Sequence, residues 1–201
     1  VVSKLKNNHI LLASASPRRY ELLTQLGFKV LVKPVDIDES RYPDESPAVY
    51  CQRLAIEKNQ IAVERFIAHQ PIAIVTADTI VVKGDITLGK PKNSEQVVAT
   101  LKQLSGGIHS VLTAVCVSYG NRSVSCLQTS EVTFAELDDA WLTSYAATDE
   151  PLDKAGGYGI QGSAGRWISF IKGSYSGIMG LPLYETAQLL TKLDIMAVAD
   201  V

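Results

Sequence analysis

Ser14, Ser16, Arg18 and Arg19 are the first residues in this sequence whose types and spacing suggest chemistry. They follow Ile10-Leu11-Leu12-Ala13, an apolar run that reads as a buried strand, and Pro17 opens a helix with Leu22, Leu23 and Leu26 on one face. Ser16 suits the N-cap, and Pro17 suits the first helical position, where a missing N–H costs nothing. Helix N–H groups, the positive dipole end, two hydroxyls and two guanidinium groups therefore converge, and phosphate is the anion such a place takes. The alternative is an ordinary capped helix with its arginines in solvent. Two cations in a first turn oppose the dipole, which favours the phosphate reading.

Asp78 is the one ionisable residue between Ile72 and Val82, at a point where a sheet would open onto a cleft. Burial raises such a carboxyl and nearby cations lower it, so a base poised near neutrality can result; a strand-end turn former is an equal alternative. Glu39, with Asp38, lies in an acidic stretch that either is simply solvated or supplies oxygens to magnesium, which takes one or two carboxylates beside substrate phosphates. Lys58 falls on the inward stripe of a helix running from Ser46-Pro47 to about His69, with Cys51, Leu54, Ala55, Ile61, Ala62 and Phe66. It either snorkels at the core's edge or points into an anionic cleft. Lys90, in the stiff Gly89-Lys90-Pro91 loop, is either an exposed lysine or a phosphate contact. Gly84 to Lys90 also spells G-x-x-x-x-G-K, but Pro91 stands where a P-loop needs its hydroxyl, so that match is set aside. Between Glu150 and Gly162, closely spaced glycines surround Tyr158, and the Gln161 amide can donate and accept toward the imide edge of a pyrimidine.

The elements that must position these residues alternate. Strands are expected at Phe28 to Val35, from Ile72, at 108–118 and 123–135, and at Trp167 to Ile171. A hairpin turns at Gly84-Asp85, Ser94 caps one helix, Asp138 or Asp139 starts another, and Pro182 opens the last. This predicts an α/β fold with a mixed sheet covered on both faces. The formal net charge of −2 gives no global field for gripping a nucleic-acid polymer. No apolar run approaches a membrane span of roughly 20 residues, and no signal-peptide core is evident, so a cytoplasmic protein is expected. Cys51, Cys116 and Cys126 form no framework, so reduced thiols are expected; three scattered histidines offer neither a zinc site nor a triad.

Taken together, Ser14-x-Ser16-Pro17-Arg18-Arg19, Ala77-Asp78-Thr79, Gly89-Lys90-Pro91, the Asp153 to Gly162 stretch and Gly180-Leu181-Pro182-Leu183 resemble the Maf family, in the same order, over about residues 9 to 193. The resemblance implies one domain over 1–201, an elongated twisted mixed sheet flanked by helices, with two lobes around a central cleft, as in inosine-triphosphate pyrophosphatases. It implies hydrolysis of a nucleoside triphosphate to the monophosphate and diphosphate in the cytoplasm, with a divalent metal (Mg or Mn), often as a homodimer. Arg18, Thr79 and Gln161 match the branch acting on dTTP and UTP rather than the 7-methyl-GTP branch. By the same resemblance Asp78 is the proton acceptor, and Arg18, Thr79 and Gln161 set base choice. Ser14, Ser16, Arg19, Lys58, Lys90 and Lys154 hold the triphosphate, and Glu39 helps place metal. Two rival readings stay open: a pyrophosphatase with another base preference, and a non-catalytic nucleotide-binding regulator of cell division.

Overall fold

The structure, a computed structural model, describes residues 9–66 and 72–197. The helix end expected near His69 lies outside them. Seven strands form one mixed sheet: β1 (His9–Leu12), β2 (Lys29–Val32), β3 (Ala73–Lys83), β4 (Ile86–Leu88), β5 (Ile108–Tyr119), β6 (Arg122–Phe134) and β7 (Ile168–Lys172). Their order is β2-β1-β3-β5-β6-β7, with β4 paired to β3. The helices are α1 (Pro17–Gln25), α2 (Pro47–Phe66), α3 (Ser94–Leu104), α4 (Asp139–Ala146), α5 (Tyr175–Met179) and α6 (Leu183–Lys192). Among the described residues no helix is long and apolar enough to cross a membrane.

The chain divides into two compact units. The first comprises the residues through Asp78, Thr113–Gln128 and those from Gly180 on; the second comprises Thr79–Leu112 and Thr129–Met179.

In the first unit, β1 lies parallel to β2 on one side and to β3 on the other. Pairing with β3 ends at Leu12 opposite Val75, and Ala13 adds one more bond to the Val75 carbonyl. β3 continues, so Asp78 stands beyond the last residue of β1, at the carboxyl end of parallel strands where α/β sheets bind ligands. β2 is shorter than the expected 28–35 because its partner β1 ends at Leu12 and turns toward α1; the last bond runs from Lys33 N to Leu12 O. Gly27, at φ 84°, ends α1 in the left-handed conformation that a glycine C-cap supplies.

Helix α2 presents Cys51, Leu54, Ala55 and Ala62 to the sheet, where Ala62 joins Leu11, Ala13, Val35 and Ile74 in one cluster. Two buried polar residues fix its position. Thr76 donates its hydroxyl hydrogen to the Ala55 carbonyl at 2.7 Å, and the Asn59 amide reaches the carbonyls of Ile74 and Cys116 at 3.4 Å. Unpaired, either group would cost about 1–3 kcal/mol in such a core.

In the second unit the β3–β4 hairpin turns at Gly84-Asp85 as expected, with Gly84 at φ 60°, and this excludes the strand–loop–helix of a P-loop. Helix α3 is capped by Asn93, not Ser94: the Asn93 side chain accepts from Gln96 N at 2.9 Å. The expectation missed because serine and asparagine are both good caps and sit side by side. Asp138 caps α4, accepting from Trp141 N at 2.8 Å. Leu101, Leu104, Val132, Phe134, Leu142 and Tyr158 belong to the core here. The short α5 was not foreseen; its first turn is held by the Ser174 hydroxyl, which accepts from Gly177 N. All three cysteines are free thiols.

Candidate active site

The turn between β1 and α1 is built by hydroxyls. Ser16 is the N-cap of α1, accepting from Arg19 N at 3.4 Å. Ser14 Oγ accepts from Ser16 N at 3.3 Å and from the Arg19 guanidinium at 3.0 Å. Arg19 Nε donates in turn to the Gly180 carbonyl at 2.8 Å, which gives the Gly180-Leu181-Pro182 motif a role the sequence did not supply. Desolvation pulls the Arg19 guanidinium below its usual range and the neighbouring Arg18 adds to that, while Asp78, Cys51 and Glu39 pull it back. Arginine starts so high that it stays charged. Two arginines and two carboxylates therefore lie within each other's field.

Lys58 connects the carboxylates. Its ammonium lies 2.7 Å from Asp78 Oδ1 and 2.6 Å from Glu39 Oε1. Asp78 is 8% exposed, so its pairing with a cation is what makes burial of the charge tolerable. The Cys51 thiol lies under Asp78 and donates to its backbone carbonyl at 3.5 Å; burial and the Asp78 charge push that thiol up to about 12, so it stays protonated. Glu39 comes from the irregular segment between β2 and α2. Tyr50 holds its backbone, donating its hydroxyl hydrogen to the Glu39 carbonyl at 2.7 Å. Burial and the charges of Asp78 and Glu39 push the Tyr50 phenol upward. Asp38, the other ligand candidate, is used locally: it accepts from Ser40 N at 2.9 Å, and the Ser40 bonds hold it below the usual carboxylate range.

In the second unit, Thr79 is half-buried on β3, directly after Asp78 in the chain. Lys90 is exposed in its Gly-Lys-Pro loop, and the Gly89 carbonyl accepts from Gly156 N at 3.1 Å, tying this loop to the glycine-rich one. Gly156 has φ 72°, and a Cβ there would lie 2.9 Å from Val81 Cγ2, so both backbone shape and close approach require glycine. Lys154 is bonded to the Glu150 carbonyl and to Asp153. Tyr158 is buried and hydrogen-bonded to His109 at 2.7 Å, while Gln161, three residues on, is exposed. Glu150 packs beside the residue after Gln161: it accepts from the Tyr145 hydroxyl and from Ser163 N, and it lies where a Gly162 side chain would be.

The Maf-like protein family matches residues 9–193 of this chain. The chain belongs to the Maf family. Among its Maf relatives, the dTTP/UTP pyrophosphatase of Neisseria gonorrhoeae is 45% identical over 92% of this chain and 94% of its own length. The dTTP/UTP pyrophosphatase of Xanthomonas euvesicatoria is 50% identical over 90% of this chain and 96% of its own. Among solved structures, the Staphylococcus aureus Ham1 protein aligns at a TM-score of 0.46 and 13% identity, over 63% of this chain and 72% of its own.

For this Maf chain the residues singled out in the sequence fall into two groups. Ser14, Ser16, Arg18, Arg19, Glu39, Lys58 and Asp78 belong to the first unit; hydrogen bonds, ion pairs and the field at Arg19 relate them. Thr79, Lys90, Lys154 and Gln161 belong to the second. Within the protein, Lys58 meets the carboxylates of Asp78 and Glu39, and Lys154 meets Asp153 and the Glu150 carbonyl. Tyr50, Cys51 and the Gly180 carbonyl were missed. The i, i+7 and i, i+8 spacing of Cys51 and Tyr50 from Lys58 was the available signal, since both fall on the helix face that Lys58 occupies.

Proposed function

We propose that this Maf-family protein hydrolyses dTTP and UTP to the nucleoside monophosphate and diphosphate. The observation that carries the reading is the Asp78–Lys58–Glu39 chain beside Arg19, in a sequence about half identical to proteins named dTTP/UTP pyrophosphatases. Asp78 accepts a proton from water as its oxygen attacks phosphorus and the anhydride P–O bond breaks. Diphosphate departs with the electron pair of that bond, and no covalent enzyme intermediate is needed. Lys58 orients the carboxylate of Asp78, and Arg18, Arg19 and the α1 N-terminus offset charge on the phosphates.

Glu39 fits a divalent cation such as Mg or Mn. Its carboxylate is a hard oxygen donor, 54% exposed, and already sits against a cation in the Lys58 ammonium. Among the described residues no cluster of three or more His, Cys, Asp or Glu forms a metal cage, so substrate phosphates and water would complete the shell around Glu39. Such an ion would supply electrostatic stabilisation of the phosphoryl oxygens.

Base choice is assigned to Arg18, Thr79 and Gln161, and Lys90 and Lys154 are assigned to the phosphates. The deciding assay is a panel of nucleoside and deoxynucleoside triphosphates with magnesium or manganese, scored by the monophosphate formed from each. Turnover of dTTP and UTP above that of the purine nucleotides is expected. Purine preference would overturn the pyrimidine assignment, and tight binding without monophosphate would favour a regulator.

A further inference from the structure

The segment 36–46 carries Glu39 yet has no helix or strand of its own, so something else must hold it. The strongest tie is Arg53 on α2, a residue outside every motif discussed above. Its guanidinium meets the buried Glu45 side chain as a fork, Nε to Oε1 at 2.7 Å and one terminal nitrogen to Oε2 at 3.0 Å. That same nitrogen donates to the Ser40 carbonyl at 2.9 Å, one residue from Glu39. The other terminal nitrogen binds Glu57 at 3.0 Å, and the guanidinium lies 3.9 Å over the Tyr42 ring. Glu45 closes the turn from its own side, accepting from Tyr42 N at 3.1 Å. Arg53 thus touches Ser40, Tyr42 and Glu45 at once. A lysine point charge cannot do this, because the arrangement uses the planar fork and both terminal nitrogens.

We infer that Arg53 is a positioning residue for the reaction: clamped on Glu45 and the Ser40 carbonyl, it holds the 39–45 turn so that the Glu39 carboxylate stands against Lys58. Its effect on turnover passes through Glu39 and not through substrate contact. The inference rests on the proposed role of Glu39.

The test is a cycle of R53Q, E39Q and the double variant, with kcat, KM and melting temperature measured for each. R53Q is expected to lower kcat about 10- to 100-fold, the usual cost of losing a group that orients a ligating side chain, with the nucleotide KM nearly unchanged. In the E39Q background the same substitution is expected to lower kcat no further. E45Q, which weakens the fork without changing side-chain volume, is expected to give the same pattern with a smaller loss, and it serves if R53Q fails to fold. Equal losses in both backgrounds would overturn the inference, as would wild-type kcat in R53Q or in a folded E45Q. Wild-type turnover in E39Q alone would instead remove Glu39 from the mechanism, and the inference with it.

Discussion

Lys58 Nζ lies 2.7 Å from Asp78 Oδ1 and 2.6 Å from Glu39 Oε1, so one ammonium serves two carboxylates from separate chain segments. Lys58 is 12% exposed by its side chain and Asp78 11%, a setting in which removing one partner strands the other's charge. Lys58→Gln is expected to lower kcat by about 10²–10⁴, as is Asp78→Asn, the range for losing a general base or its orientation. Lys58→Arg is expected to fall short of rescue, since a planar fork does not replace a compact charge between two carboxylates. Steady-state kinetics with dTTP, alongside nucleotide binding by calorimetry, separates the lost step from lost binding.

His109 predicts an acid limit to stability. It is 2% exposed, and burial, with Lys83 nearby, lowers its pKa from 6.5 to about 4. The unfolded chain therefore binds more protons in that window, so stability falls as pH falls through it, by up to about 3 kcal/mol. His109→Gln keeps a hydrogen-bonding side chain for Tyr158 and does not titrate. Urea midpoints compared between about pH 7 and about pH 4 should fall less steeply in the variant than in the parent. Below that window Glu45 and Asp38 add their own losses, because both are held below their usual range and their contribution disappears on protonation.

The cap of α3 separates two neighbouring residues. Asn93→Ala is expected to lower stability by about 1 kcal/mol, whereas Ser94→Ala should leave it nearly unchanged. Chemical denaturation of the two variants under one set of conditions checks the assignment.

Gly162 ties Gln161 to its support. A Cβ at this position would lie 1.7 Å from Glu150 Oε1, so alanine forces either the carboxylate or the loop to move. If Gln161 reads the base, Gly162→Ala should reduce discrimination between dTTP and purine triphosphates by about tenfold or more, since small displacements of positioning groups cost that much. Unaltered relative kcat/KM values in a folded Gly162→Ala protein would remove the loop from base choice.

Cys51 should be inert. With its thiol pushed up to about 12, it should resist alkylation at neutral pH in the folded protein and react only after unfolding. Mass spectrometry of iodoacetamide-treated protein, native against denatured, reads this directly.

Local features were legible in the sequence because their causes are local. Ser16-Pro17 opens α1, Gly84-Asp85 turns the hairpin, and Asp138 caps α4, each by rules that reach only a few residues. Lys58 was recognisable as anomalous from helical period alone, but its partners were not, since Asp78 and Glu39 arrive from a strand and an irregular segment 20 and 19 residues away. The Arg53–Glu45 fork was invisible because 36–46 has no periodicity to say which way a side chain points. The end of β2 was not readable, because it is set by where the partner strand β1 turns away. Nor were the polar ties of Asn59 and Thr76, because only the fold shows which carbonyls lie within their reach.

The hydrogen bond from Arg19 to the Gly180 carbonyl spans 161 residues of chain. On the ribosome, the first helix can form long before its arginine meets that acceptor. A nascent polypeptide stalled short of Gly180 therefore leaves that guanidinium incompletely secured, and the turn that carries Arg19 matures only as the late part of the message is read.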